Sequence, residues 1–174
     1  MAYDLDVTQR VVQQVHADLA ALLAPDVFAE FYPEVPAPAV TLEMLGNEPE
    51  PLHVFTWSTA RDFGIEQNLS GSMLQVSFHV WVTCIGTGPD ADAAAQAANA
   101  YHSMVLQMVM GDVTLHGLAS EVLVPQVRET DAWADPDGRR HCGYLLDLEV
   151  RRWVKPDPSL IQILQAAPTA GEDI

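Results

Sequence analysis

Positive charge is scarce in this chain. Eight Lys and Arg stand against 24 Asp and Glu, a formal charge of −16. That balance excludes nucleic-acid binding by phosphate neutralisation. It suits a surface that DNA passes without sticking. Cysteine is nearly absent. Cys84 and Cys142 both fall in predicted strands and read as buried free thiols. Two such residues exclude a disulfide framework, and no CxxC or Cys/His spacing points to zinc. No run approaches the ~20 apolar residues of a membrane helix. The start, Met1 to Asp6, lacks the basic and apolar regions of a signal peptide. A soluble, cytoplasmically made protein is the expectation.

Chemical motifs are also missing. His16, His53, His79, His102, His116 and His141 are scattered, with no HxH or HExxH pair. Ser58, Ser70, Ser72 and Ser77 lack a GxSxG elbow. Gly86-Thr-Gly88 is too short for a phosphate loop and has no lysine. No catalytic, cofactor-binding or metal-binding residue is predicted.

Strong periodicity is present. From Gly71 to Gly86, the apolar set Leu74, Val76, Phe78, Val80, Val82 and Cys84 alternates with Met73, Gln75, Ser77, His79, Trp81 and Thr83. This is strand periodicity, with one face for the core and a wetter face for water or a partner. A strand this long reaches roughly 45 Å at about 3.3 Å per residue.

The other elements arrange themselves around that strand. Val11, Val12, Val15, Leu19, Leu22 and Leu23 predict an amphipathic helix from Val7 to Leu23, capped by Asp6 and stopped at Pro25. Val40 to Leu45 is a candidate strand after Pro33, Pro36 and Pro38. Gly46 to Ser70 reads as an irregular insertion, a short strand His53–Trp57 followed by loop or hairpin. After the long strand, Asp90 or Asp92 caps an Ala-rich helix ending at Gly111 as its C′ residue. Its buried stripe is Ala91, Ala94, Ala95, Ala98, Tyr101, Val105, Met108 and Val109. Ala119 to Thr130, interrupted by Pro125, pairs with Arg139 to Val154 through the Asp135-Pro-Asp-Gly138 turn. The expectation is one α+β domain, residues 1–155: an antiparallel or mixed sheet with a long central strand against two helices. Residues 156–174 form a tail.

In that order the pattern resembles the tail terminator (tail completion) proteins of long-tailed bacteriophages. The likeness runs over roughly residues 7 to 154. It comprises the opening helix Val11–Leu23 and the approach Val35-Pro-Ala-Pro-Ala-Val40 to a strand. It continues through the strand ending Val80-Trp-Val82, the Gly-rich turn and the Ala-rich helix. It closes with Glu129-Thr-Asp131 and the turn Asp135-Pro-Asp-Gly-Arg-Arg-His141, like the family's "dxDG..h" turn. The chain departs from the family in its longer Gly46–Ser70 insertion and in its tail after Lys155.

The resemblance implies a hexameric ring of this chain in the virion, at the head–tail junction. Such a ring caps the tail tube, ends tube polymerisation and gives a head-completion or connector protein its docking surface. DNA passes through its lumen without specific binding, and no enzyme activity, cofactor or membrane is involved. Candidate subunit contacts are Phe55, Trp57, Phe63 and Ile65 of the insertion, with His79 and Trp81 on the wet strand face. Replacing Trp57 or Trp81 by alanine is expected to weaken assembly. Arg139, Arg140, Arg151 and Arg152 are candidates for salt-sensitive contacts, because cations crowd the last third and leave only Arg10 and Arg61 before it. Two alternatives stand beside this reading. One is another head–tail neck protein of the same particle. The other is a small-molecule-binding domain or enzyme with a pocket between helix and sheet.

Overall fold

In a computed structural model, described for residues 5–41, 53–67 and 74–154, with side chains over 9–41 and 77–153, one mixed sheet carries all described helices on one face. Helix α1 spans Leu5–Leu22. Its stripe Val11, Val15, Leu19 and Leu23 is at most 1 % exposed, the i, i+4 spacing of a face turned wholly to a core. Asp6 lies inside the helix rather than capping it.

Pro25 does not simply end α1. It opens a second helix, α2, Pro25–Phe31, where its missing N–H costs nothing. The sequence reading expected two helices; α2 makes a third. Phe28 from α2 is buried against Tyr32 and Tyr101, with ring centroids 5.3 and 5.7 Å away.

The strands are β1 (Ala39–Thr41), β2 (His53–Gln67), β3 (Leu74–Gly88), β4 (Glu121–Ala134) and β5 (Arg140–Val154), in spatial order β1-β2-β3-β5-β4. Only β1 is parallel to its neighbour. Strand β3 is central, and its alternation holds: Phe78, Val80, Val82 and Cys84 are at most 3 % exposed. Leu146, Leu148 and Val150 of β5 pair with Val82, Val80 and Phe78 and complete the sheet's buried face. Pro125 sits where the β4 register slips, between Leu123 and Gln126, on an edge strand that requires no donor there.

The insertion is the main departure. The expected short strand runs on through the expected loop, to Gln67, and pairs antiparallel with β3. Its register slips between Thr59 and Gly64. That irregularity breaks the period-two pattern, so the sequence reads as loop. Residues 42–45 of the first candidate strand, and the 156–174 tail, lie outside the described residues.

Helix α3, Ala91–Gly111, is capped by Asp90, whose carboxylate accepts the Ala93 N–H at 2.8 Å. Ala94, Ala97 and Ala98 are buried, whereas Ala91 is exposed and Ala95 only half-buried. The small residues allow very close approach to β3. A Cβ on Gly86 would stand 2.1 Å from the Ala94 carbonyl oxygen and 2.3 Å from the Ala98 nitrogen. Gly111 is the last helical residue and has no positive φ; Asp112 is the C-cap. The left-handed residues follow at Leu115, His116 and Gly117, where Leu115 is fully buried.

Candidate protein-docking face

Strand pairing determines what the sheet shows on its helix-free side. Directly paired residues share a face. Gly86 and Gly88 abut α3, so the even-numbered residues of β3 face the helices and the odd-numbered ones face away. Across β3, β5 and β4 the outward rows begin with Ser77, Arg151 and Glu121 and end with Thr87, His141 and Trp133. No described helix covers this side, because the core on the other side holds the apolar residues of all three.

Apart from Arg128, which donates to Gln126 at 2.7 Å, the described charges on this face close on one another. The Arg151 guanidinium donates to Glu149 at 2.7 Å and to Glu121 at 3.1 Å. The Glu149 hydrogen bond, with Glu121 behind it, raises the arginine's already high pKa. His79 Nδ1 lies 2.7 Å from Asp147 Oδ1, on the diagonal between neighbouring strands. Trp81 is half-buried between Trp57 on β2 and Asp147 on β5 in the register.

One end of the face is locked by a buried histidine. His141 is 2 % exposed. Its Nε2 lies 3.2 Å from Asp135 Oδ2, and a carboxylate can only accept, so Nε2 carries the proton. In the neutral ring Nδ1 then accepts from the Thr87 hydroxyl, 2.9 Å away. Trp133 stacks on the ring, centroids 5.1 Å apart at 19°. Asp135 also accepts the Arg139 N–H at 2.8 Å, closing a turn with Pro136 at its corner and Gly138 at φ +81°. Burial pushes the Asp135 carboxyl upward, but the Arg139 N–H and His141 outweigh it and hold it below the ordinary value. The Asp and His of the turn motif are thus a structural couple. Sequence reading counts His141 among the scattered histidines and at the close of the turn motif, without its partner Thr87, which lies 54 residues away.

The candidate contact residues do not all meet. Trp57 pairs with Trp81, and Phe55 with Thr83, in outward-facing rows. Ile65 pairs with Val76, a helix-side position, and Phe63 lies inside the register slip. Side chains of the insertion lie outside the described residues. Arg139 and Arg140 are exposed at the turn and have no side-chain partner among the described residues. Arg151 is engaged by its two carboxylates, and half-buried Arg152 pairs with Val76 on the helix side. The last third is not cationic as a whole: residues 117–174 hold ten Asp and Glu against six Lys and Arg. The exposed acids Asp26, Glu30, Glu34, Asp90 and Asp92 gather on the helical layer and the loops leading to it.

Little else on the described surface invites chemistry. A shallow hollow of about 450 Å³ is lined by Tyr32 and six α3 residues, Asp92 to Ser103, with no sheet residue in its wall. Asp92 and Tyr32 are its only ionisable groups. Among the described residues no group of three or more His, Cys, Asp or Glu is placed to hold a metal. His102 Nε2 is buried without a hydrogen-bond partner among them, and burial lowers the ring's pKa. The ring stacks on Tyr144 at 4.8 Å. Burial also raises both thiols, Cys84 and half-buried Cys142, and both cysteines are free. No described helix is long and apolar enough to cross a membrane.

Comparison with protein-family models finds no match. A search of curated proteins finds none either.

Proposed function

We propose that the chain is a non-enzymatic ring protein of a long-tailed bacteriophage, a tail terminator. Copies of it assemble as a hexamer on the finished tail tube, stop further tube growth and present a docking surface to a head-completion or connector protein. The reading rests on the ordered resemblance over residues 7–154. The observation that carries it is the helix-free sheet face. That face is built of four strands of 14 or 15 residues, the described charges of β3, β4 and β5 mostly paired with one another, in a chain otherwise strongly acidic. A broad rigid face with little net charge serves assembly. The acidic remainder gives a lumen that repels DNA and lets it slide.

The test is tube capping. Tail tube protein polymerised with this chain should give tubes stopped short, each with a ring at one end in electron micrographs. Uncapped tubes of unchanged length would refute the proposal. Rings that bind a portal-side connector and ignore the tube would favour another neck protein of the same particle.

A further inference from the structure

We infer that the helix-free sheet face seats a neighbouring copy of this chain and that tryptophans are its anchors. The inference rests on the ring reading and names the surface through which ring members join.

The carrying observation is where the tryptophans lie. The chain has four. Trp81 is on the outward row of β3, and Trp57 is its direct partner on β2. Trp133 pairs with His141, and Trp153 pairs with Gln75, so both belong to outward rows as well. None occupies a helix-side position. Trp133 is 41 % exposed and Trp153 40 % exposed. Tryptophan is the residue most enriched at the energetic centres of interfaces, because one side chain buries a large apolar area with little rotamer entropy. The core is filled by aliphatic and sulfur-bearing residues with Phe28, Phe78 and Tyr101, and uses no tryptophan that the structure describes.

Size agrees with a stable contact. From the row of Thr87 to the row of Gln75 the face runs roughly 40 Å at about 3.3 Å per residue. Four strands at about 4.8 Å make it roughly 19 Å wide, hence roughly 760 Å², close to the ~800 Å² each partner gives a standard interface.

Charge selects the occupant. A second copy also carries −16, so two copies repel wherever their acids are exposed. On the described outward positions two arginines, Arg128 and Arg151, stand against three acids, Glu121, Asp147 and Glu149; Glu66 of β2 lies in the row of Gln75, and Arg151 and His79 are already paired inside the chain. Like-charged copies meet there at less cost than across the helical layer, where Asp26, Glu30, Glu34, Asp90 and Asp92 are exposed. A nucleic acid would require cations, and only Arg128 is left over. A locked turn also holds Trp133 in place before contact, which lowers the entropy lost on binding.

The test uses the full chain, alone and with purified tail tubes. Native mass and negative-stain images give assembly; acrylamide quenching of tryptophan fluorescence gives the anchors' exposure. Trp133→Ala and Trp153→Ala should each raise the concentration for half-assembly roughly tenfold or more. Thr83→Lys, which puts a charge mid-face, should abolish rings while the monomer keeps its circular dichroism. Phe31→Ala, on the helical layer and 62 % exposed in wild type, should change nothing. Rings should quench less than monomers. Normal rings from all three face variants, or equal quenching in ring and monomer, would overturn this inference and leave the ring reading intact. Protection only after tubes are added would make the tube protein the occupant. Crosslinks within a monomer of the full chain, from residues 156–174 to this face, would make the tail the occupant. Either result overturns the inference. A chain that stays monomeric even with tubes overturns both readings.

Discussion

The tightest point of the fold predicts its most damaging small substitution. Gly86→Ala adds one methyl group between β3 and α3. The new Cβ would lie 2.1 Å from the Ala94 oxygen and 2.3 Å from the Ala98 nitrogen, against about 3.4 Å for ordinary contact. The shortfall is about 1.3 Å on the shorter contact. Both obstacles are backbone atoms, so no rotamer change relieves them. The helix must therefore move off the sheet. A gap of 0.5–1 Å already forfeits roughly a quarter to a half of each dispersion contact across it. Nine residues of α3 are buried, and the helix packs on β3 and β5. Overpacking typically costs about 1–3 kcal/mol, and with a whole helix displaced we expect about 3 kcal/mol or more. For a chain of this size that lowers the melting temperature by roughly 6–12 °C. Gly111→Ala is the control: nothing lies within 4 Å of its Cβ position, and φ is not positive. It should be neutral or stabilising by up to about 1 kcal/mol. The assay is denaturant and thermal unfolding of both variants beside wild type. A Gly86→Ala protein within about 0.5 kcal/mol of wild type would refute the reasoning, since routine surface changes fall in that range.

Two further predictions concern single groups. His141→Gln removes a buried ring with two hydrogen bonds and a stacked indole, so unfolding should show a loss of about 2–4 kcal/mol; a loss below about 0.5 kcal/mol would contradict the lock. Asp112 has its carboxyl held down at about 2, first by the Thr114 hydroxyl and then by the His116 and Thr114 N–H groups. Because its folded value lies below the unfolded one, its contribution is present above about pH 4 and is lost as pH falls toward 2. Asp112→Asn should flatten the wild-type stability profile in that window, and an unchanged slope there would show that another carboxylate carries it.

What could be read from the sequence follows from how local each signal is. The alternation in β3 and β5 lies within one strand, so a run such as Phe78, Val80 and Val82 announces its face unaided. Asp90 caps α3 three residues from its partner, and the 135–138 turn is closed by its own Pro and Gly. Helix α2 has seven residues, too few for a period, and it begins at the proline that marks the end of α1. Strand β2 hides because its register slips at Thr59–Gly64. The partners of His141 and the shared face of the tryptophans depend on pairings between distant strands. No local pattern encodes those. The cations were visible, and Glu149 lies two residues from Arg151 on one strand face, but the second carboxylate, Glu121, comes beside it only through the pairing of β4 with β5.

The most direct test of the central claim is the native mass of the purified chain, measured across concentration and salt with particles viewed by electron microscopy and tail tubes added in a parallel series. The account predicts rings of six, free or recruited by tubes, with salt-dependent assembly if Arg139 and Arg140 join copies. A monomer at every concentration, with tubes present or absent, would contradict it.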